Sequence, residues 1–117
     1  MLDHANTALL STDHIHGADV YGAGEERIGH IDHLLIDGTT GRIAYAIMGF
    51  GGFLGLGEEL RPIPWAALRY DHGLDGYVTG ITVDQLQSSP RAEEGWARDR
   101  AWEERTFSHF GAPAYWL

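Results

Sequence analysis

The chain of 117 residues contains no cysteine. Disulfides, thiolate metal sites and a cysteine nucleophile are therefore excluded, and the composition fits a reducing, cytoplasmic setting. Lysine is absent as well, and all eight basic residues are arginines. That removes a Schiff-base lysine, a lysine general base and the lysine of a phosphate-binding P-loop. Positive charge is scarce: 17 acids face eight arginines, for a net charge of −9. The arginines are scattered, with no basic stripe to track a phosphate backbone, so nucleic acids and anionic membrane surfaces are poor partners. Long apolar runs are missing too. The longest uncharged run, Ile43 to Gly57, is 15 residues and is interrupted by five glycines. A spanning helix needs about 20 apolar residues, so no membrane insertion is expected. The opening "MLDHANTALLSTDHIHG" has an acid at position 3 and no basic region, unlike a secretory signal. Residues 1–14 read as a flexible arm.

What is present suits one small domain. Hydrophobic residues make up 44% and aromatics 11%, enough to build a core. Residues 15–81 read as short strands joined by glycine-rich turns. Ala18 to Tyr21 is the first, Ile28 to Ile36 the second and Arg42 to Met48 the third. "DGTTG" is a hairpin signal between the last two. Ile28 and Ile31 have opposite parity, and a β-bulge beside Gly29 would return both to the core. Pro62 and Pro64 have no N–H to give a ladder, so a strand there must be short or at an edge. Trp65 to Leu68 suits one helical turn, and two more short strands flank "DHGLDG".

From Thr82 to Leu117 the pattern becomes helical. Thr82 and Gln85 have capping-box spacing. Ser89 followed by Pro90 signals a second start, with a helix expected to run to about Phe110 and end at Gly111. Glu94 with Arg98, and Arg100 with Glu104, have the spacing of helical ion pairs. On one such helix Trp96 and Trp102 stand about 600° apart and cannot both face the strands centrally, leaving one for a second subunit.

The stretch "GFGGFLGLGEEL", Gly49 to Leu60, invites comparison with a phosphate cradle. A dinucleotide fingerprint fails from either start, because Leu54 or Leu60 stands where the third glycine belongs. The stretch reads instead as a strand-joining loop whose glycines permit positive φ. Phe50, Phe53, Leu54 and Leu56 then either fold back to plug the core or form an apolar patch for a partner.

Taken in order, "GADVYGAGEERIGHIDHLLIDGTTGRIAYAIMGFGGFLGLGEELRPIPWAAL", residues 17–68, resembles the PRC-barrel domain. The carriers are the "VY" strand, "IGHIDHLLID", "TGRIAYAI", the "GGFLGLG" loop and "PIPWAAL". That domain forms the cytoplasmic part of the photosynthetic reaction centre H subunit and the C-terminal domain of the ribosome maturation factor. The C-terminal part is similar to small stand-alone bacterial members. The resemblance implies a strongly bent antiparallel β-barrel of five to six strands, mainly β, with a helical extension packed on it. It implies an assembly or docking role, or modulation of a neighbouring cofactor, rather than a reaction.

Sites that carry chemistry are weak by comparison. Asp13, His14 and His16 lie close in sequence, as do His30, Asp32 and His33. Imidazole and carboxylate suit zinc, but neither spacing matches a metal signature. The paired acids Glu25/Glu26, Glu58/Glu59, Glu93/Glu94 and Glu103/Glu104 read as solvated charge, since neighbours point apart. None of the four serines sits in a nucleophile elbow. The resulting expectation is a non-enzymatic protein-interaction module, without catalytic, cofactor or metal residues, that self-associates as a dimer. Its candidate interaction surface is Phe50, Phe53, Leu54, Leu56, Trp96, Trp102, Tyr115 and Trp116. A small-molecule or cofactor-modulating binding module, associated with electron or proton transfer, is the alternative.

Overall fold

The structure is a computed structural model that describes residues 9–51 and 57–117. Phe53, Leu54 and Leu56 lie outside the described residues, and so does most of the expected arm. Six strands form one sheet: β1 (Asp19–Tyr21), β2 (Arg27–Ile36), β3 (Ile43–Phe50), β4 (Glu59–Pro64), β5 (Leu68–Asp71) and β6 (Gly76–Thr79). Their spatial order is β4-β3-β2-β1-β6-β5. The sheet curls into a half-barrel with β4 and β5 at its two edges. It is mixed rather than wholly antiparallel, because β1 pairs with β6 in parallel. The prolines explain one edge: among the described residues β4 pairs only with β3, so Pro62 and Pro64 deprive no second ladder of a donor.

Curvature comes from register shifts. Val20 faces Gly29 while Tyr21 faces Arg27, which leaves Ile28 as the extra residue of a bulge beside Gly29. Ile28 and Ile31 consequently pack into the same core. Gly29 is also where two backbones meet: a Cβ there would collide with the Gly49 carbonyl and with Met48. In the β2–β3 turn, Gly41 takes φ 78° and its N–H donates to the Asp37 carbonyl. The long glycine loop behaves alike at its described ends, Gly51 and Gly57, with φ 71° and 75°.

Both faces of β3 are buried. One lies over the half-barrel core of Val20, Ile31, Met48, Ile63, Tyr77 and Leu86. Burying each of the aliphatic side chains contributes about 1.5–3 kcal/mol. The other face is covered by the C-terminal helix through Ala44, Tyr45, Trp102 and Phe107.

Helices are shorter than the sequence suggests. α1 (Thr12–Ile15) is a single turn capped by Ser11, and it buries Ile15 in the core. α2 (Val83–Ser88) carries the expected capping box at Thr82 and Gln85. Ser89 does not start a helix. Its hydroxyl donates back to the Leu86 carbonyl and closes α2 instead. Gly95, at φ 77°, precedes an isolated 3-10 turn, Trp96–Arg98. The last helix, α3 (Arg100–Phe110), starts only at Asp99, whose carboxylate accepts from the Trp102 N–H at 3.1 Å. The break separates Glu94 from Arg98, and within α3 Arg100 pairs with Glu103 at 3.2 Å instead of Glu104, so neither expected pair is among the ion pairs of the described residues.

This break also corrects the geometry assumed for the tryptophans. Trp96 and Trp102 do not share a helix, so the angular argument does not apply. Their rings pack against each other at 4.7 Å, and Trp102 is 1% exposed. No helix among the described residues is long and apolar enough to cross a membrane.

Candidate functional site

α3 buries Trp102, Glu103, Thr106 and Phe107, and Trp102, Glu103 and Phe107 meet Tyr45 of β3. Glu103 is thus a carboxylate inside an aromatic layer, only 3% exposed, and not the solvated charge expected from its pairing with Glu104. A buried carboxylate is costly unless its lone pairs find donors. Here the Tyr45 hydroxyl donates to Oε2 at 2.7 Å and the Tyr115 hydroxyl donates to the same oxygen at 2.5 Å. The Arg100 Nε lies 3.2 Å from Oε1. Burial, and then the hydrogen bond to Glu103, push the Tyr45 phenol far above its ordinary range. The same causes push Tyr115 up to about 12. Both phenols are therefore locked as donors, which suits a structural clamp rather than proton exchange at neutral pH.

The clamp fastens the tail to the barrel. Tyr115 reaches Glu103 from beyond the helix end, which Gly111 turns at φ 66°. Trp116 packs on Phe107, and the Arg100 guanidinium lies 4.1 Å over the Trp116 ring. Three depressions meet at Tyr115. One, about 200 Å³, is walled by Ile43, Ala44, Phe107, Pro113 and Leu117. A second of about 200 Å³ runs along Leu35, Ile36 and Ala97. A hollow of about 470 Å³ opens between the β2–β3 turn and the tail, beside Arg42, Arg100 and Trp116. Ile36, at the rim, is 59% exposed.

Of the residues expected to form an interaction surface, Trp96, Tyr115 and Trp116 stand half-buried around this junction, whereas Trp102 is sealed beneath it. Phe50 turns inward: it is 4% exposed and packs in the half-barrel core. The Arg61 guanidinium sits 5.6 Å over its ring. Arg61 is itself buried, with Nη1 2.6 Å from Glu59 Oε2 though not aligned for a hydrogen bond. Nothing in the spacing of "EELRPIP" distinguishes this arginine from a solvated one. Glu103 did leave a signal, because it falls within the Trp102, Thr106, Phe107 and Phe110 stripe of a helix.

The histidines are dispersed. His14 lies on a helical turn, with Nε2 2.8 Å from Asp75 Oδ1, and the Tyr70 hydroxyl donates to the same oxygen at 2.9 Å. The Tyr70 hydrogen bond, then that of His14, holds the Asp75 carboxyl below the usual range. His33 meets Asp32, and His30 lies 3.4 Å from Glu58. Among the described residues no three histidine or carboxylate side chains come together to hold a metal ion.

A protein of Deinococcus radiodurans, described as uncharacterized, is 31% identical over 85 residues. The match covers 71% of this chain and 30% of that protein, so the chain spans less than a third of its relative's length. A crystal structure of a 16S ribosomal RNA processing protein, RimM, from Pseudomonas aeruginosa is similar over 71% of this chain and 50% of that one. Its identity is 21% and its TM-score 0.44. The family described as PRC-barrel domain matches residues 11–86, which take in α1, the whole curled sheet and the first turn of α2. The chain belongs to the PRC-barrel domain family.

Proposed function

We propose that the chain is a non-enzymatic protein-docking module that works through the face between the β2–β3 turn and the C-terminal tail. The observation that carries this reading is the convergence of three depressions on Tyr115, beside the exposed Ile36. Aromatic and apolar walls with a polar rim are the usual make-up of a docking patch. The ionisable groups at its centre, Tyr45, Glu103 and Tyr115, are already bonded to one another. They offer a reactant neither a free base nor a free acid. The two apolar clefts, at about 200 Å³ each, are small for a cofactor, since small-molecule pockets typically run from roughly 300 to 1,000 Å³.

Affinity purification from the native host tests the reading. A reproducible protein partner, lost on Ile36→Asp without loss of fold, supports docking. A co-purified small molecule with no protein partner favours the cofactor-modulating alternative. Self-association through the same face is part of the proposal, and sedimentation equilibrium checks it. A monomer mass at high micromolar concentration removes the dimer and leaves a different protein as the partner.

A further inference from the structure

The hollow of about 470 Å³ beside Trp116 is unlike the rest of this acidic chain. Two of its eight arginines, Arg42 and Arg100, line it together with Thr39, Thr40 and Trp116. Arg42 is exposed at the start of the β3 arm, and no carboxylate among the described residues lies within ion-pair distance of its guanidinium. Arg100 uses its Nε on Glu103, and stacking on Trp116 holds its plane in place. The remaining edge of a guanidinium held this way is a fork for a carboxylate. Asp37 and Leu117 also line the hollow; Asp37 Oδ1 accepts from the Thr39 N–H at 3.0 Å, and neither the Asp37 carboxylate nor the α-carboxylate of Leu117 is ion-paired with Arg42 or Arg100. Directly beside the hollow, sharing Arg42 and Tyr115 with it, lies the apolar cleft walled by Ala44, Phe107 and Pro113.

The geometry points to a peptide-binding site for a segment of a partner protein that carries an acidic side chain next to an aliphatic one. The carboxylate lies between Arg42 and Arg100 over Trp116, and the aliphatic side chain enters the neighbouring cleft. Charge complementarity sets the class of occupant. Two arginines set in a chain of net charge −9 attract a single carboxylate, while the surrounding field repels a polyanion. This assignment rests on the docking reading and names the chemistry of the docked segment.

The test uses 15N-labelled full chain and a panel of capped hexapeptides carrying one Glu and one Leu at every spacing, with Glu→Gln panels as controls. Some member of the panel is expected to shift the amides of Thr39, Thr40 and Arg42 and the indole N–H of Trp116. Replacing Glu by Gln, or Arg42 by Ala, is expected to weaken that peptide about tenfold, as the loss of one charge-assisted pair does. Arg42 is exposed, so its replacement leaves the fold intact, and an unchanged spectrum elsewhere verifies this. Several outcomes overturn the site: no shift at millimolar peptide, equal binding of the Gln peptides, or stronger binding of inorganic phosphate than of any peptide. If the partner captured by affinity purification is retained by Arg42→Glu but lost on Ile36→Asp, the site fails while the docking reading stands. If neither variant affects capture, both fail.

Discussion

Replacing Tyr45 with Phe removes one oxygen atom and leaves the ring where it is. That ring packs edge-on against Trp96, Phe107 and Tyr115, with centroids 5.1, 5.3 and 5.7 Å away. The oxygen is a donor to Glu103, 2.7 Å away and buried. Hydrogen bonds to charged groups contribute roughly 1.5–3 kcal/mol, and the carboxylate left short of a donor cannot turn to water. Tyr45→Phe should therefore cost about 2 kcal/mol. For a domain of this size that corresponds to a fall in Tm of roughly 6–10 °C. Tyr77 is the internal control. It is as deeply buried, at 1% exposed, but its hydroxyl has no hydrogen-bond partner among the described residues. Tyr77→Phe should change stability by less than about 0.5 kcal/mol, or raise it. Urea unfolding followed by tryptophan fluorescence, with the slope held common, measures both. Equal costs for the two substitutions would refute the reasoning, because burial alone would then explain them. A double-mutant cycle with Tyr115→Phe adds a second check. Both phenols use one carboxylate oxygen, so their costs should not add.

Other expectations follow from the same structure. Both phenol pKa values are raised in the fold, so their contribution is complete below pH 10, the ordinary tyrosine value, and is lost progressively as pH rises from there through the folded values. Urea midpoints should be flat from pH 8 to 9.5 and fall between 10 and about 12, and Tyr115→Phe should make that fall shallower. Gly29→Ala must push a methyl group against the Gly49 carbonyl and Met48, and should cost about 1–3 kcal/mol in urea unfolding. Phe50→Ala empties a core position beneath Arg61 and should cost about 3–5 kcal/mol, whereas a free surface phenylalanine would cost little.

Much of the barrel was legible because its signals are local. Pro62 and Pro64 announced an edge strand, the opposite parity of Ile28 and Ile31 announced a bulge, and Thr82 with Gln85 announced a cap. The C-terminal third carries more ambiguous signals. Ser89 and Pro90 satisfy a helix start on paper, but the serine hydroxyl is used by the preceding helix, and Gly95 takes a left-handed conformation that breaks the run. Asp99 was the real cap, and no capping-box partner marked it. Adjacency to Glu104 marks Glu103 as solvated charge, but its place in the apolar stripe decides its burial. The Tyr45–Glu103 contact joins residues 58 apart in sequence, and no local pattern encodes such a pair. Arg42 and Arg100, equally far apart in sequence, likewise come to line one hollow only through the fold.

The central claim is that partners meet the face between that turn and the tail. Site-specific photocrosslinking in the native host tests it most directly, with the crosslinker placed at Ile36 in one variant and at Val83 in another. Val83 is exposed on α2 and lines none of the three depressions. The account predicts a discrete protein adduct from position 36 and none from position 83. An adduct from position 83 alone, with position 36 silent, would contradict it.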